Sequence, residues 1–499
     1  MSVAAPPSPG PVHAAAASRS SSLAGGASAL LAAKIVFVIA GYAIYVGLSR
    51  SLTPAQFGIF LVVNSTVGVL NAIFVSGSIQ TVSRFVSQNP EGAAATLRQA
   101  LWLRLALAGT ASVAYFLAAP LLASLLNDPT LVNYLRVSAI IPLAYAFYAA
   151  LIGHANGMRR FVQQAAFDMT YSASKVAFVV GAALLGLGAF GAVSGFAAAS
   201  VAIFLVAAVV IGRHTFRDRD AVGTPAGTML RYEAAVMAHV GLTNLLMQLD
   251  LLIVQSLSGG EGTVPAAMYG SAVKLAQIPY SVLVALNFLI FPYIARSTAQ
   301  APTRETGQFV RHALRLGLAL SVGPAIVLAS LGPQTISFVF GPAYADASPA
   351  LQWLAGGYVA FSLFNLSTTV INGMGRPIVS MVIAAVTIAV QATLARMLVP
   401  VDGYTGAAIA STVAYLLGLG LAIGYVMRVF GSVMPWASLL RVSLAMVVVM
   451  AGAWLVGPRL PVIVLAPALG VLYLVALMLL REWKAEEVRF ALGRAPAAG

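Results

Sequence analysis

The sequence predicts an all-helical, polytopic membrane protein of about fourteen spans, built as two related six-helix lobes followed by a helix pair. Three observations predict it. Of 499 residues, 60% are hydrophobic and 8% charged, whereas soluble domains carry about 45–50% apolar and about 25% charged residues. A mean hydropathy of +0.92 agrees, and so little polar surface could not cover a soluble protein. The second observation is a run of apolar stretches of spanning length, and the third is where the basic residues fall between them.

A spanning helix needs about 20 mostly apolar residues to cross a hydrocarbon core about 30 Å thick. Fourteen stretches qualify: 28–48, 57–79, 99–126, 131–152, 165–188, 189–211, 235–257, 267–292, 313–340, 347–371, 379–400, 406–428, 437–456 and 461–481. Spans five and six are separated only by Gly186, Gly188 and Gly191. No stretch alternates polar and apolar residues as a lipid-facing strand does, which excludes a β-barrel. Residues 1–27, rich in Ala, Ser, Pro and Gly, lack a signal-peptide core and read as a disordered cytoplasmic tail.

Orientation follows the basic residues. With the N-terminus inside, Arg50, Arg136, Arg396 and Arg459 fall outside and Lys34, Lys175 and Lys274 fall within spans, leaving twenty-one of the 28 Lys and Arg on the cytoplasmic side. Both termini are therefore expected in the cytoplasm of a bacterial inner membrane. The net charge of +14 reads as topology and not as nucleic-acid binding.

The chain also aligns with itself at an offset of 212–216. LTPAQFGIF (52–60) answers VPAAMYGSA (264–272), Arg84 answers Arg296, and Asn156-Gly157-Met158 answers Asn372-Gly373-Met374. LGAFGA (187–192) answers DGYTGA (402–407) and Arg213 answers Arg428. The expected organisation is an N-lobe at 28–213, a cytoplasmic linker at 214–234, a C-lobe at 235–428, a helix pair at 437–481 and a tail at 482–499. Within that tail, REWKAEEVRFALGR reads as an amphipathic cytoplasmic helix. An even number of spans per repeat gives parallel repeats, whose cleft is where transporters bind substrate. A duplicated scaffold without a transport role is the alternative.

Ionisable groups inside spans usually face a cavity or a partner. Lys34, Lys175 and Lys274, with Arg50 at the outer end of span one, would give a cationic lining suited to an anionic head group. Lys274 ranks first for that role and Lys34 second, with snorkelling as the alternative. On span seven, Asn244, Gln248 and Gln255 fall within about 40° on a helical wheel, as a stripe for sugar hydroxyls or as glue between helices. Asp250 points elsewhere, and its lone carboxylate is the candidate coupling-ion or proton site; pairing with Lys274 is the alternative. Arg84 and Arg296 suit either an inner gate or topology. Among the aromatics spread through the spans, Tyr42, Tyr45, Trp102, Tyr145, Tyr148, Tyr280, Trp353 and Tyr358, those near ends read as interface anchors.

SRSLTPAQFGIF, MQLDLLIVQSLSGGEGTVPAAMYGSAVKLAQIP, FGPAYADASPALQWLAGGY and INGMGRP together resemble the polysaccharide transporters, including Wzx-type oligosaccharide flippases, of the multidrug/oligosaccharidyl-lipid/polysaccharide exporter superfamily. The resemblance spans about residues 28–430. It implies two lobes opening alternately to the two membrane faces, and a polyprenyl-pyrophosphate-linked oligosaccharide as cargo. Some related lipid flippases place a sodium site among spans 7, 11 and 12, which would make Gln391 and Thr412 the neighbours of Asp250; span 11 carries no second carboxylate, which counts against sodium here.

No cofactor or metal is expected: there is no cysteine, only five histidines and no Walker A pattern for ATP. A drug/cation antiporter of the same superfamily needs acids in its cavity and is the runner-up. A membrane polysaccharide polymerase or ligase would need a long outer loop, which the sequence lacks. The partners expected are the lipid-linked oligosaccharide and membrane lipid. Polymerase or export machinery stays open as a partner, and so do the cargo's sugars and the coupling ion.

Overall fold

The computed structural model describes residues 11–212, 223–258, 262–297, 304–431, 433–456 and 460–482, and among these it contains helices and no strand. In chain order the helices are α1 (Pro11–Ser51), α2 (Pro54–Gln88), α3 (Ala93–Leu125), α4 (Leu131–Ser138), α5 (Ile140–Gly157), α6 (Phe161–Ala182), α7 (Gly188–Val210) and α8 (Ala226–Leu257). They continue as α9 (Val264–Ala276), α10 (Ile278–Ser297), α11 (Arg304–Ser330), α12 (Gly332–Phe340), α13 (Ser348–Gly373), α14 (Pro377–Phe430), α15 (Trp436–Val456) and α16 (Val462–Leu479). Proline opens several of them, where its missing N–H costs nothing. At α2 the Thr53 hydroxyl accepts the Gln56 N–H at 3.3 Å.

Among the described residues, eleven helical stretches are long and apolar enough to cross a membrane. Two of them, Phe161–Val210 and Pro377–Phe430, each hold two of the predicted spans, and α9 with α10 supplies one more. The fourteen-span plan follows. The first helix starts at Pro11, inside the segment expected to be a disordered tail; His13 to Ala17 is an alanine-rich run, and alanine is the best helix former.

The duplication is visible in the backbone. Both double-span stretches turn on a glycine in a region closed to other residues: Gly188 at φ 61, ψ −155 and Gly403 at φ 57, ψ −139. Helices α5 and α13 end alike, on Asn-Gly-Met. Met158 N–H donates to His154 O at 2.9 Å and Arg160 N–H to Ala155 O at 2.8 Å; Met374 donates to Val370 O at 3.0 Å and Arg376 to Ile371 O at 3.2 Å. Each asparagine reaches eight residues onward, Asn156 donating to Gln164 at 2.8 Å and Asn372 accepting from Ser380 at 2.6 Å. Two copies of one six-helix plan account for this.

The chain forms two compact units. The first comprises Met1–Ser51, Leu70–Pro120 and Thr130–Val240; the second comprises Leu52–Val69, Leu121–Pro129 and Gly241–Gly499. These limits differ from the linear lobes 28–213 and 235–428, for identifiable reasons. Gly58 of α2 lies against the backbone of Thr263, whose hydroxyl donates to Ala55 O at 2.5 Å. Gln255 donates to Leu126 O at 3.4 Å. The start of α8, read as linker, belongs to the first unit, where its Glu233 pairs with Arg104; residues 214–222 of that linker lie outside the described residues.

Within the first unit α1 packs on α6, and α7 on α5 and α6. In the second, α13 packs on α10, α11 and α14, while α11 carries the pair α15 and α16. Tyr473 of α16 donates to Ala319 O at 2.8 Å, beside Gly323, whose missing side chain makes room for the tyrosine ring. Glu482, expected to open the tail, instead bonds Arg315 at 2.7 Å and Arg441 at 3.2 Å; the amphipathic segment after it lies outside the described residues.

Candidate functional site

A carboxylate taken out of water must collect donors to replace its hydration, and each unit contains one that does so. In the second unit Asp250, on α8, is fully buried. Its Oδ2 accepts from the Tyr269 hydroxyl at 2.7 Å and from Ser411 at 3.2 Å, and its Oδ1 accepts the Leu251 N–H at 2.8 Å. Gln391 donates to Ser411 at 3.0 Å. Three helices therefore converge: α8 supplies the acid, α9 supplies Tyr269, and α14 supplies Ser411 and Gln391 across its glycine turn. Lys274, five residues beyond Tyr269 on α9, is buried and close enough to act electrostatically on Asp250.

The hydroxyls of Tyr269 and Ser411 and the Leu251 N–H replace the hydration that burial takes from the carboxylate. Among the described residues no group of three or more His, Cys, Asp or Glu could hold a metal ion.

In the first unit Asp168 of α6 accepts from the Tyr148 hydroxyl at 3.0 Å and bonds Gln164, with Lys34 of α1 close enough for an electrostatic interaction. A hydrogen-bond chain leads outward: Gln164 accepts from Asn156 at 2.8 Å, and Asn156 accepts from Ser83 at 2.7 Å. The rings of Tyr145, Tyr148 and Tyr171 wall this cluster, Tyr145 and Tyr171 meeting edge-on at 4.9 Å between centroids.

Several expected roles change on this geometry. Lys274, ranked first for a head group, is buried here, near Asp250. Lys175 is half-buried, with its ammonium 3.5 Å from the Phe196 ring centroid, an arrangement that satisfies a cation within protein. Lys34 is exposed on α1, with Phe37 at 5.8 Å, and Arg50 is exposed at the end of the same helix. Asn244 and Gln248 are half-buried, but Gln255 is buried and donates to the carbonyls of Leu126 and Gly262, as the alternative of glue between helices would have it. Thr412 donates to Trp353 O at 2.9 Å; its neighbour Ser411 is the residue that reaches Asp250. Arg84 lies over the Tyr232 ring at 4.5 Å, while the Arg296 side chain lies outside the described residues.

Sequence reasoning did not single out Asp168, Tyr269 or Ser411. Asp168 carried a signal, a charge three residues inside span five. Tyr269 and Ser411 carried none, because hydroxyl residues are common in membrane helices and their partners are distant in sequence.

A family model described as polysaccharide biosynthesis protein matches residues 23–298, and one described as MatE matches residues 240–397. Uncharacterized membrane protein YabM of Bacillus subtilis is 24% identical over 419 residues, 79% of this chain and 78% of that protein. The solved structure of the lipid II flippase MurJ in an inward closed conformation superposes with a TM-score of 0.74 at 12% identity, covering 92% of this chain and 99% of that one. An inward-facing multidrug resistance MATE family transporter of the MOP superfamily gives 0.65 at 15% identity, over 81% of this chain and 98% of that one. At such identities the likeness to solved structures is one of fold.

Proposed function

The chain belongs to the polysaccharide biosynthesis protein family, and from that premise we propose that it is a flippase. It carries a polyprenyl-pyrophosphate-linked oligosaccharide from the inner to the outer leaflet of a bacterial cell membrane by alternating access, with no catalytic step and both termini in the cytoplasm. The observation that carries this reading is Lys34, an ammonium exposed on a membrane-spanning helix. Asp168 lies close enough to interact with this ammonium, but Lys34 stays exposed, and a cation at membrane depth favours a further anion beside it; a pyrophosphate supplies charge-assisted acceptors. Arg50, about 24 Å further along the same helix, offers a second cation to the head group at the outer end of its path. Asp250, with Tyr269, Ser411 and Gln391, is the proposed coupling group.

Deleting the gene and analysing extracted lipids tests the reading: a lipid-linked oligosaccharide should accumulate with its sugars on the cytoplasmic side. Lys34→Gln should lower surface polysaccharide by about tenfold or more, at unchanged protein level, while Lys34→Arg retains output. Normal outer-leaflet display of the lipid-linked saccharide in the deletion strain would overturn it.

The MatE match over residues 240–397 favours a second reading, a drug or cation antiporter. In that case the deletion strain would gain sensitivity to cationic drugs while its lipid-linked saccharides stayed normal.

A further inference from the structure

The first unit carries an apolar crevice of about 390 Å³, within the range of about 300–1,000 Å³ usual for small-molecule sites. Three helices contribute regularly spaced side chains to it. From α3 come Arg98, Trp102 and Leu105, at the spacing of one helix face. From α5 come Phe147 and Leu151, and the Phe147 ring meets Phe204 of α7 at 5.3 Å to form the floor. Ala208 of α7 and Gly212, two residues beyond its end, open the space by being small; a Cβ on Gly212 would meet only Leu151, at 3.7 Å.

The crevice has a direction. Arg98, Leu151 and Gly212 lie toward the membrane face where α3 begins and α5 and α7 end, and Leu105, Phe147 and Phe204 lie deeper. At 1.5 Å per residue, the seven residues from Arg98 to Leu105 and the eight from Gly212 to Phe204 each descend about 10–12 Å. That is most of one leaflet of a core about 30 Å thick. The rims are exposed apolar side chains of membrane-spanning helices, Trp102 at 65% and Val209 at 67%, so the crevice opens on hydrocarbon.

From this geometry we propose a binding site for one acyl chain of an anionic glycerophospholipid, with its phosphate on the Arg98 guanidinium. Arg98 is the only charged side chain among the lining residues. It stands at the interfacial end, where basic residues between spans hold acidic head groups. A slot of about 10–12 Å with its one cation at the interfacial end suits an acyl chain that hangs from a phosphate. This site is separate from the Lys34 and Asp250 clusters and does not depend on what the protein transports.

The crevice carries its own reporter. With Trp353, Trp436, Trp454 and Trp483 replaced by phenylalanine, Trp102 is the sole tryptophan. The full chain in phosphatidylcholine vesicles is titrated with phosphatidylglycerol brominated in its acyl chains, and separately with brominated phosphatidylcholine. Phosphatidylglycerol should quench Trp102 at about fivefold lower mole fraction, the effect of one basic residue near the surface. Arg98→Gln should abolish that preference while leaving maximal quenching unchanged, and Ala208→Phe should reduce quenching by both lipids. Equal quenching by the two lipids in the parent, or unchanged quenching in Ala208→Phe, would overturn the assignment. So would relief of quenching by equimolar polyprenyl pyrophosphate and not by unlabelled phosphatidylglycerol, which would make the occupant the polyprenyl tail.

Discussion

Arg104 of α3 and Glu233 of α8 form a two-pronged ion pair inside the first unit, both side chains fully buried. Arg104 also donates to the Ser78 hydroxyl at 2.9 Å. Gly77 leaves room for the carboxylate, since a Cβ there would stand 2.8 Å from Glu233 Oε1. The guanidinium fork matches the carboxylate, and this geometry offsets the large cost of desolvating two charges. Arg104→Gln or Glu233→Gln alone strands one charge in an apolar setting and should destabilise by about 3–5 kcal/mol. Arg104→Met with Glu233→Leu removes both charges and should recover most of the loss. Thermal unfolding of the four proteins in detergent checks this; single variants as stable as the parent would count against the pair.

The Asp250 cluster invites a similar comparison with a different readout. Asp250→Asn leaves the buried Lys274 without its counter-charge and should lower thermal stability markedly. Adding Lys274→Met should restore it. Transport then separates the two roles of the carboxylate. If Asp250 couples transport to a proton, the double variant folds like the parent yet transports at least about tenfold more slowly. Recovery of transport along with stability would make the pair structural.

Much of this molecule is legible in its sequence, and what is not follows a pattern. The fourteen spans and the duplication are local or repeated signals: apolar length, and glycine or asparagine turns such as Gly188 with Gly403 and Asn156 with Asn372. Asp250 stood out because a lone carboxylate in a span is costly. Its surroundings did not, because Tyr269 and Ser411 lie 19 and 161 residues away. Lys274 and Gln255 were assigned by type and wheel position, neither of which reveals that one is enclosed beside an acid and the other spent on backbone carbonyls. The unit boundaries were hidden for the same reason. Gly58 and Glu233 belong to their units through contacts with Thr263 and Arg104 that no linear segmentation contains.

Gly58 offers a test of those contacts. Its hydrogen sits against the Thr263 carbonyl, so any Cβ would press on backbone that cannot swing aside. Gly41, in α1, has nothing within 4 Å of a built Cβ. Gly41→Ala should therefore be neutral or stabilising by up to about 1 kcal/mol, from helix propensity alone. Gly58→Ala should destabilise by about 1–3 kcal/mol, as overpacking does. Opposite signs for one chemical change, read by thermal unfolding, would establish the close approach of α2 to Thr263.

Glu482 supplies the pH-dependent prediction. It lies beyond α16, buried, with Arg315 of α11 and Arg441 of α15 on its two oxygens. Burial pushes its carboxyl upward, but hydrogen bonds from Ser438, Arg315 and Arg441 outweigh it and hold the group below its ordinary value of 4.5. Because the folded value is depressed, the unfolded chain takes up the proton first as pH falls. The stabilisation is fully present above about pH 5 and is lost as pH drops through the folded value. Glu482→Gln keeps the shape and removes the charge. The parent's melting temperature should therefore exceed that of Glu482→Gln by a constant margin from pH 7 to about pH 5, and the margin should shrink toward pH 3. Added salt should narrow it at neutral pH, since Arg441 is exposed enough to be screened. A margin that grew on acidification would mean the carboxyl titrates above its ordinary value, and that the two arginines do not hold it.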